Sequence, residues 1–329
     1  MNKLAIVIPA FKPMFLEETL RSIESQTNRD FTLYIGDDAS PHHLDTIVEP
    51  FRKNIDLQYR FFDKNLGGKD LVAHWERCID MVGNEEWIWL FSDDDIMAPS
   101  CVQEFYDAIQ TDSEYDVLHF NVIRIDQYGK TVEGSTDFPN PITIEKFVEA
   151  RLCSGLRSYV VEYIFNKSHF LREGRFEHFD LAWCSDDASW IKLAGEKGIK
   201  TLPQSKVYWR KSPYNITPSY SDINLLKRKN MAMIEYSKWL IVKSTEGKLN
   251  IKLPTLKKFL SIWIRNNFRA TISYLGYKDF RALVPLVNEN LGLRGGERLR
   301  IRFILGYKTY RMGVEKVKFI LKLAGFMSV

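Results

Sequence analysis

Apolar runs and amphipathic segments alternate along the N-terminal third of the chain. Short, nearly continuous apolar runs predict four buried strands, at residues 4–8, 31–35, 57–62 and 87–91. Apolar residues at helical spacing predict helices between them, at residues 15–26, 43–52 and 71–82. Strands that alternate with helices predict an α/β fold with a mostly parallel, Rossmann-like sheet flanked by helices.

Each predicted strand ends in a short turn with its own chemistry. The four turns are Pro9-Ala10-Phe11, Asp37-Asp38-Ala39-Ser40, Asn65-Leu66-Gly67-Gly68 and Ser92-Asp93-Asp94-Asp95. Ligands of such sheets bind beyond the carboxyl ends of the strands, so we expect one rim to collect all four turns. Glycines in the third turn would let the backbone approach a ligand closely.

The three successive carboxylates Asp93, Asp94 and Asp95 follow the most apolar strand. Like charges at this spacing raise each other's pKa unless a cation lies among them, which favours a divalent metal at the end of the strand. Oxygen ligands alone would select Mg²⁺ or Mn²⁺ over zinc. The alternative is a solvated acidic turn after a core strand.

Later segments extend this pattern. A strand is predicted at 116–125, followed by a hairpin turn at Tyr128-Gly129-Lys130 on the edge of the sheet. Asp186 and Asp187 open a helix, where the helix dipole favours acidic residues. From residue 216 onward the chain is predicted to be helical, with apolar stripes at residues 223–242, 256–272 and 301–323.

Charge divides the chain into two parts. Residues 1–204 hold 21 Lys+Arg against 35 Asp+Glu, a net charge of −14, and residues 205–329 hold 25 against 7, a net charge of +18. Together with the helical pattern, this division predicts a catalytic domain at 1–215 and a basic, mainly helical region at 216–329. Scattered cysteines, with neither a signal peptide nor a long apolar segment, predict a cytoplasmic protein.

The ordered motifs resemble those of glycosyltransferase family 2, the inverting nucleotide-sugar transferases of the GT-A fold. The resemblance covers roughly residues 3–215. It rests on five motifs in register: Ile8-Pro9-Ala10-Phe11, Ser22-Ile23-Glu24-Ser25-Gln26-Thr27, Asp37-Asp38-Ala39-Ser40, Asn65-Leu66-Gly67 and Ser92-Asp93-Asp94-Asp95. Each motif is weak alone, and their common order makes the resemblance specific.

The resemblance implies a binding site for the nucleotide-sugar donor. Pro9, Ala10 and Phe11 would line the nucleobase pocket, with Asn65 and Gly67 in the donor-binding loop. Asp38 would accept a hydrogen bond from the imide N–H of the base. A carboxylate accepts without donating, which favours uracil or thymine over cytosine, and a UDP-sugar is the expected donor. The alternative for Asp38 is a turn residue that bonds its own backbone.

The same resemblance assigns the diphosphate and metal side of the site. Asp94 would bind a metal that bridges the diphosphate, Asp95 would support the metal or its waters, and Asp93 would face the sugar or ribose. Arg210 and Lys211 follow the last predicted strand and would contact the diphosphate. The chain lacks the histidine that many relatives carry in this segment, so the metal or Lys211 would have to compensate more of the leaving group's charge.

On the acceptor side, the resemblance makes Asp187 the catalytic base and Asp186 the reserve. Arg157 and Glu162 are candidates for contacts to the acceptor, with a surface ion pair as the alternative. The expected acceptor is a saccharide or lipid-linked saccharide used in building cell-surface polysaccharide or lipopolysaccharide. The basic C-terminal region either lies on an anionic membrane, as a peripheral protein of its inner face, or packs within the protein.

Other functional classes fit the sequence less well. A nucleic-acid-binding protein would explain the basic region but would give the acidic turns no role, so we expect no nucleic-acid partner. A nucleotidyltransferase would need a glycine-rich phosphate loop after the first strand, and Pro9-Ala10-Phe11-Lys12-Pro13 has no glycine. A non-catalytic nucleotide-sugar-binding protein would be expected to lack the metal carboxylates or the base.

Overall fold

The computed structural model describes residues 3–111, 114–134, 137–215, 222–271, 282–283, 285–287 and 289. The chain divides into two compact units, the first containing residues up to 218 together with 248–250, and the second containing residues 219–247 and those after 250. The domain boundary expected from the sequence, between residues 215 and 216, stays a prediction.

A nine-stranded sheet forms the centre of the first unit. Its strands are β1 (Leu4–Ala10), β2 (Phe31–Asp37), β3 (Leu57–Phe61), β4 (Trp87–Leu90), β5 (Ile96–Met97), β6 (Val117–Ile125), β7 (Thr131–Glu133), β8 (Tyr163–Asn166) and β9 (Lys200–Arg210). The helices are α1 (Leu16–Glu24), α2 (Leu44–Val48), α3 (Leu71–Ile79), α4 (Cys101–Thr111), α5 (Ile144–Glu149), α6 (Lys167–Arg172) and α7 (Ser185–Ala194). The α/β prediction, with four strands and three helices in the N-terminal third, is confirmed.

The strand order is β3-β2-β1-β4-β8-β6-β9-β5, with β7 paired to β6. Pairing is parallel from β3 through β2 and β1 to β4, and β8 lies antiparallel between β4 and β6. The chain runs outward from β1 to β2 and β3, and then returns to place β4 on the other side of β1. Such a reversal is the point where open α/β sheets bind their ligands.

The hairpin of β6 and β7 is present, but β6 is not at the edge of the sheet as the sequence suggested. It pairs with β8 on one side and with β9 on the other. The side chains of Val117 to Val122 are buried on both faces of the strand, and an edge strand would expose part of them to water. The sequence did not show that β8 and β9, distant in the chain, would cover β6.

The core of the sheet centres on the aromatic residues of β4. Trp89 is fully buried, stacks on Phe120 at 5.0 Å between ring centroids, and donates its indole N–H to the Val161 carbonyl at 2.7 Å. All four residues of β4 are buried, as predicted. Removing such a tryptophan costs about 3–5 kcal/mol in typical cores. The acidic turn after β4 therefore starts from a rigid anchor.

The second unit contains two long helices, α8 (Ile223–Thr245) and α9 (Leu253–Thr271). Asp222 caps α8 by accepting hydrogen bonds from the backbone N–H groups of Asn224 and Leu225. Leu226, Met233 and Leu240 are buried along one side of α8. Helices were predicted here, whereas the one predicted at 301–323 lies outside the described residues. No helix in the described ranges has the length and apolarity needed to cross a membrane.

Candidate active site

Six strands, β1, β2, β3, β4, β6 and β9, point in the same direction. β8 is antiparallel to both β4 and β6, so β6 runs parallel to β4, and β9 is parallel to β6. β6 and β9 therefore end at the same rim as β1. That rim carries the turns after β1, β2, β3 and β4, the turn of the β6–β7 hairpin, the residues after β9, and the start of β8. The predicted convergence of the four turns agrees with this topology.

Asp93 joins the acidic turn to the end of β1. Its Oδ2 accepts hydrogen bonds from the backbone N–H groups of Phe11 and Lys12, both at 2.9 Å. Burial raises the pKa of Asp93 and the Asp94 charge adds to this, whereas Lys12 opposes it. Asp93 therefore holds the first and fourth strand ends together.

Lys12 is the cation that lies among these carboxylates. Its Nζ is 2.7 Å from Asp94 Oδ2 and 3.4 Å from Asp93 Oδ1. Burial of the ammonium acts against its charge, but the two carboxylates outweigh that effect and raise the pKa of Lys12. Sequence reasoning missed this residue, although its position directly after Phe11 was a usable signal.

Asp95 lies deeper than its two neighbours. Its Oδ2 accepts from the Ser92 hydroxyl at 2.8 Å, and its Oδ1 accepts from the Arg210 backbone N–H at 2.7 Å. Burial and the Asp94 charge raise the pKa of Asp95 well above its usual range. Both oxygens of Asp95 thus have protein partners.

Asp94 is the carboxylate best placed to bind a divalent metal. Within the described part of the chain its oxygens contact only side-chain donors, Lys12 and Ser92, the latter at 3.1 Å. Within the described residues no cluster of three or more His, Cys, Asp or Glu side chains forms a complete metal cage. Mg²⁺ and Mn²⁺ bound to nucleotides need no such cage, because phosphate oxygens and water supply most of their ligands. The donor set fits a metal that arrives with a diphosphate.

Asp38 organises the loop after β3. Its Oδ1 accepts from the Leu66 N–H at 2.7 Å and its Oδ2 from the Gly67 N–H at 2.8 Å. Asn65 completes the loop by donating to the Asp38 carbonyl at 3.1 Å. A Cβ on Gly67 would lie 2.8 Å from Asp38 Oδ2, so glycine is required for this approach. Pro9 and Ala10 pair with Gly36 and Asp37 beside this loop.

Arg77 lies next to Asp38 and was not found from the sequence. Its Nη2 donates to Asp38 Oδ1, its Nε is 2.9 Å from His74 Nδ1, and its guanidinium lies 4.0 Å from the centre of the Phe62 ring. Burial lowers the pKa of His74 to about 4, against the pull of Asp38. Asp38 and Arg77 are distant in sequence, so only the fold places an acceptor and a donor side by side.

Asp186 and Asp187 lie in the first turn of α7. Asp187 is buried and its carboxylate is bound by Arg151, whose Nε lies 3.0 Å from both oxygens. Burial and the Asp187 charge raise the pKa of Asp186 to about 7. The pair therefore combines one carboxylate bound by arginine with one that changes charge near neutral pH.

Glu162 lies immediately before β8, at the same rim. It is buried, accepts from the Tyr159 N–H at 2.8 Å, and has its Oε2 3.6 Å from His119 Nε2. Burial raises the pKa of Glu162 well above its usual range, and the nearby Asp187 charge adds to this. Arg157 is partly exposed and pairs with Glu133 of β7. Neither placement tests the predicted acceptor contacts.

Arg210 is 1% exposed, and its side chain has several protein partners. Nε donates to the Asp94 carbonyl at 2.8 Å, Nη2 to Glu18 Oε2 at 2.6 Å, and the guanidinium lies 4.5 Å from the centre of the Phe15 ring. Lys211, by contrast, has an exposed side chain. The diphosphate contacts predicted for both residues stay predictions, and Lys211 has the more accessible charge.

The chain resembles known proteins in sequence over its N-terminal half and in fold. Residues 5–167 match the family described as Glycosyl transferase family 2. No curated protein matches the chain. Among solved structures, residues 1–349 of TarS from S. aureus in complex with UDP-GlcNAc align with a TM-score of 0.65 at 14% identity, covering 88% of this chain and 81% of that one.

Two further alignments have similarly low sequence identity. The TarS complex with UDP gives a TM-score of 0.56 at 15% identity, covering 95% of this chain and 92% of that one. The mannosyltransferase PcManGT from Pyrobaculum calidifontis, in complex with GDP-Man and Mn²⁺, gives 0.50 at 12% identity, covering 93% and 84%. At such identities the likeness establishes the GT-A fold.

Proposed function

We propose, from the membership of residues 5–167 in glycosyl transferase family 2, that this glycosyltransferase moves a sugar from UDP to an acceptor hydroxyl with inversion. The observation that carries the proposal is the position of the Asp38–Arg77 pair and the Asp93–Asp94 pair. Asp38 follows β2, with Arg77 of α3 beside it, and Asp93 and Asp94 follow β4. β2 and β4 lie on either side of β1, where the strand order reverses. A uridine and its diphosphate would lie across this point of the rim.

Uracil recognition follows from the chemistry of Asp38 and Arg77. Uracil presents an imide N–H between two carbonyl oxygens. A carboxylate can accept from the N–H, and a neighbouring guanidinium can donate to a carbonyl. Cytosine has a ring nitrogen acceptor in place of the imide N–H, which a carboxylate repels. In support of a UDP donor, the TarS structures contain UDP or UDP-GlcNAc.

The reaction we propose is a single displacement. The acceptor oxygen forms a bond to the anomeric carbon while the bond from that carbon to the diphosphate oxygen breaks, and its electron pair leaves with UDP. Asp187 takes the hydroxyl proton, and attack from the face opposite the diphosphate inverts the configuration. Arg151 orients the Asp187 carboxylate through its two oxygens.

The second requirement is that the negative charge on the departing UDP be neutralised. Lys12 is within reach of Asp93 and Asp94, and Lys211 has an exposed ammonium at the end of β9. A divalent metal, held by Asp94 with Asp95 behind it, would neutralise the diphosphate as a Lewis acid. PcManGT was solved with Mn²⁺, which supports testing that ion first.

Release of nucleoside diphosphate from a panel of nucleotide-sugars, with and without Mn²⁺, tests the proposal. We expect UDP release from at least one UDP-sugar, stimulated by an added saccharide acceptor, and none from GDP- or CDP-sugars. The Asp187→Asn variant, measured in parallel, excludes a contaminating enzyme. Release from a GDP-sugar alone would contradict the role of the Asp38–Arg77 pair.

The acceptor and the membrane contact are further parts of the proposal. An excess of basic residues in the C-terminal region suits an anionic membrane, where a lipid-linked saccharide would be presented. Co-sedimentation of the full chain with anionic vesicles, at low and high salt, tests this contact, and neutral vesicles serve as the control. Equal sedimentation with both vesicle types would contradict an electrostatic contact.

A further inference from the structure

Two arginines from different elements share one carboxylate near the start of β8. Arg124, at the end of β6, and Arg157, in the loop before β8, both donate to Oε2 of Glu133 on β7. The Glu133 side chain is 44% exposed, and the Arg124 side chain is 17% exposed. Hydrogen bonds from Arg157, together with those from Arg124, lower the pKa of Glu133. Two guanidinium groups thus converge on a single anionic oxygen.

Arg124 is held in place by aromatic side chains. Its guanidinium carbon is 5.4 Å from the centre of the Trp209 ring, and Trp209 stacks on Tyr159 at 4.3 Å. Arg124 Nε is buried and has no hydrogen-bond partner among the residues that the structure describes. A guanidinium has five N–H donors in a fixed plane, and the single oxygen of Glu133 does not engage all of them. A group with several acceptor oxygens would accept hydrogen bonds from more of these N–H groups.

A small cleft adjoins this pair, lined by both arginines together with Phe138, Tyr159 and Glu162. Arg157 and Glu162, the two residues predicted to contact the acceptor, both line this cleft. The cleft therefore lies on the acceptor side of the rim.

Few strand-pairing contacts fix the position of Glu133 in β7. All three residues of β7 are exposed, and β7 pairs with β6 at only two positions, with an irregular register between them. Gly134 follows, and a Cβ there would meet no atom within 4 Å. Moving Glu133 off the arginines would therefore break few other contacts.

We propose that Arg124 and Arg157 form a binding site for an anionic group of the acceptor, a phosphate or a carboxylate, and that Glu133 occupies the site until that group replaces it. Guanidinium groups bind both anions through paired, charge-assisted hydrogen bonds. That the anion belongs to an acceptor rests on the proposed glycosyl transfer, but the anion site itself can be tested without any transfer.

The test is a calorimetric titration of the full chain with inorganic phosphate in the presence of saturating UDP, which blocks phosphate from the donor site. Glu133→Gln removes the competing charge, so we expect phosphate to bind about fivefold more tightly or better than to the unmodified chain. Adding Arg157→Gln, a change at a partly exposed position, to the Glu133→Gln variant should abolish that gain. Asp80→Asn is the matched control, because Asp80 makes an exposed ion pair with Arg175 elsewhere.

Glycerol phosphate and glucuronate, titrated in the same way, distinguish the two sources of the anion. Tighter binding of one to Glu133→Gln identifies its class. Unchanged phosphate affinity in Glu133→Gln, or an equal gain in Asp80→Asn, would overturn the anion site. If phosphate binds as expected but no nucleotide-sugar is ever consumed, the site stands and the proposed glycosyl transfer fails.

Discussion

Arg151 binds the Asp187 carboxylate along the edge of its guanidinium: Nε lies 3.0 Å from each oxygen, and Nη2 lies 2.5 Å from Oδ2. Bonds of this kind fix the orientation of a carboxylate. Asp186, the preceding residue, forms no ion pair with an arginine within the described residues, and burial raises its pKa to about 7. Two adjacent carboxylates thus meet different environments at the start of one helix.

Replacing the two aspartates separately should distinguish their roles. We expect Asp187→Asn to lower kcat by about 10²–10⁴, because it removes the proton acceptor, while UDP affinity by calorimetry stays nearly unchanged. Asp186→Asn should lower kcat by about tenfold or less. The reverse order of the two losses would assign the base to Asp186.

The raised pKa of Asp186 also predicts a dependence of stability on pH. A carboxyl with a pKa of about 7 in the folded chain and an ordinary one when unfolded holds its proton more tightly in the folded state. Its ionisation therefore costs stability as pH rises from about 4 to 7. Asp186→Asn removes this cost. We expect the variant to gain about 1–2 kcal/mol in free energy of unfolding at pH 8 and much less at pH 4.

Urea unfolding at the two pH values measures this difference. Glu196→Gln is a suitable control, since Glu196 is an exposed acid in the turn after the same helix. A gain from Asp186→Asn that is equal at both pH values would show that ionisation of Asp186 is not its cause.

Asp94→Asn should separate metal-assisted binding from simple nucleotide binding. The amide retains the shape of the carboxylate but loses the negative charge that attracts a metal and Lys12. With Mn²⁺ present, we expect the affinity for UDP to fall by about tenfold or more, and we expect removal of the metal by EDTA to produce a similar loss in the unmodified chain. Calorimetry measures both. An unchanged metal-dependent affinity in Asp94→Asn would place the metal elsewhere.

Arg77→Ala should weaken UDP binding by about tenfold, because it removes the proposed donor to uracil and releases Asp38 from its partner. Arg60 provides a matched control. Its guanidinium also lies near the Phe62 ring, at 5.1 Å, but its side chain is exposed. Calorimetric titration with UDP should show Arg60→Ala within about twofold of the unmodified chain. Equal losses in both variants would point to the surface charge instead of the base contact.

Gly36→Ala should destabilise the end of β2 that presents Asp37 and Asp38. A Cβ at this position would lie 2.3 Å from Cys78 Sγ and 2.9 Å from Phe62 Cε2. We expect a loss of about 1–3 kcal/mol in unfolding free energy from this overpacking. Adding Cys78→Ala should recover part of the loss. Thermal and urea unfolding test both variants, and a fully additive double variant would exclude the Cys78 contact as the cause.

Local sequence patterns predicted most of the N-terminal fold. Trp87 to Leu90 and the other apolar runs form strands, and the intervening amphipathic segments form helices. The three aspartates marked the end of β4, whereas Pro9 did not end β1, which continues to Ala10. What failed was the position of β6 in the sheet, since the partners that cover it are β8 and β9, encoded far along the chain.

By itself, the sequence determined which segments are strands and helices, and which strand ends carry carboxylates and glycines. These properties depend on spacing over a few residues. Only the tertiary structure decided which charges meet: Lys12 with Asp94, Arg77 with Asp38, and Arg151 with Asp187. Each pair joins residues from separate elements, and the energy of a charge pair depends on distance and burial, which spacing along the chain does not specify.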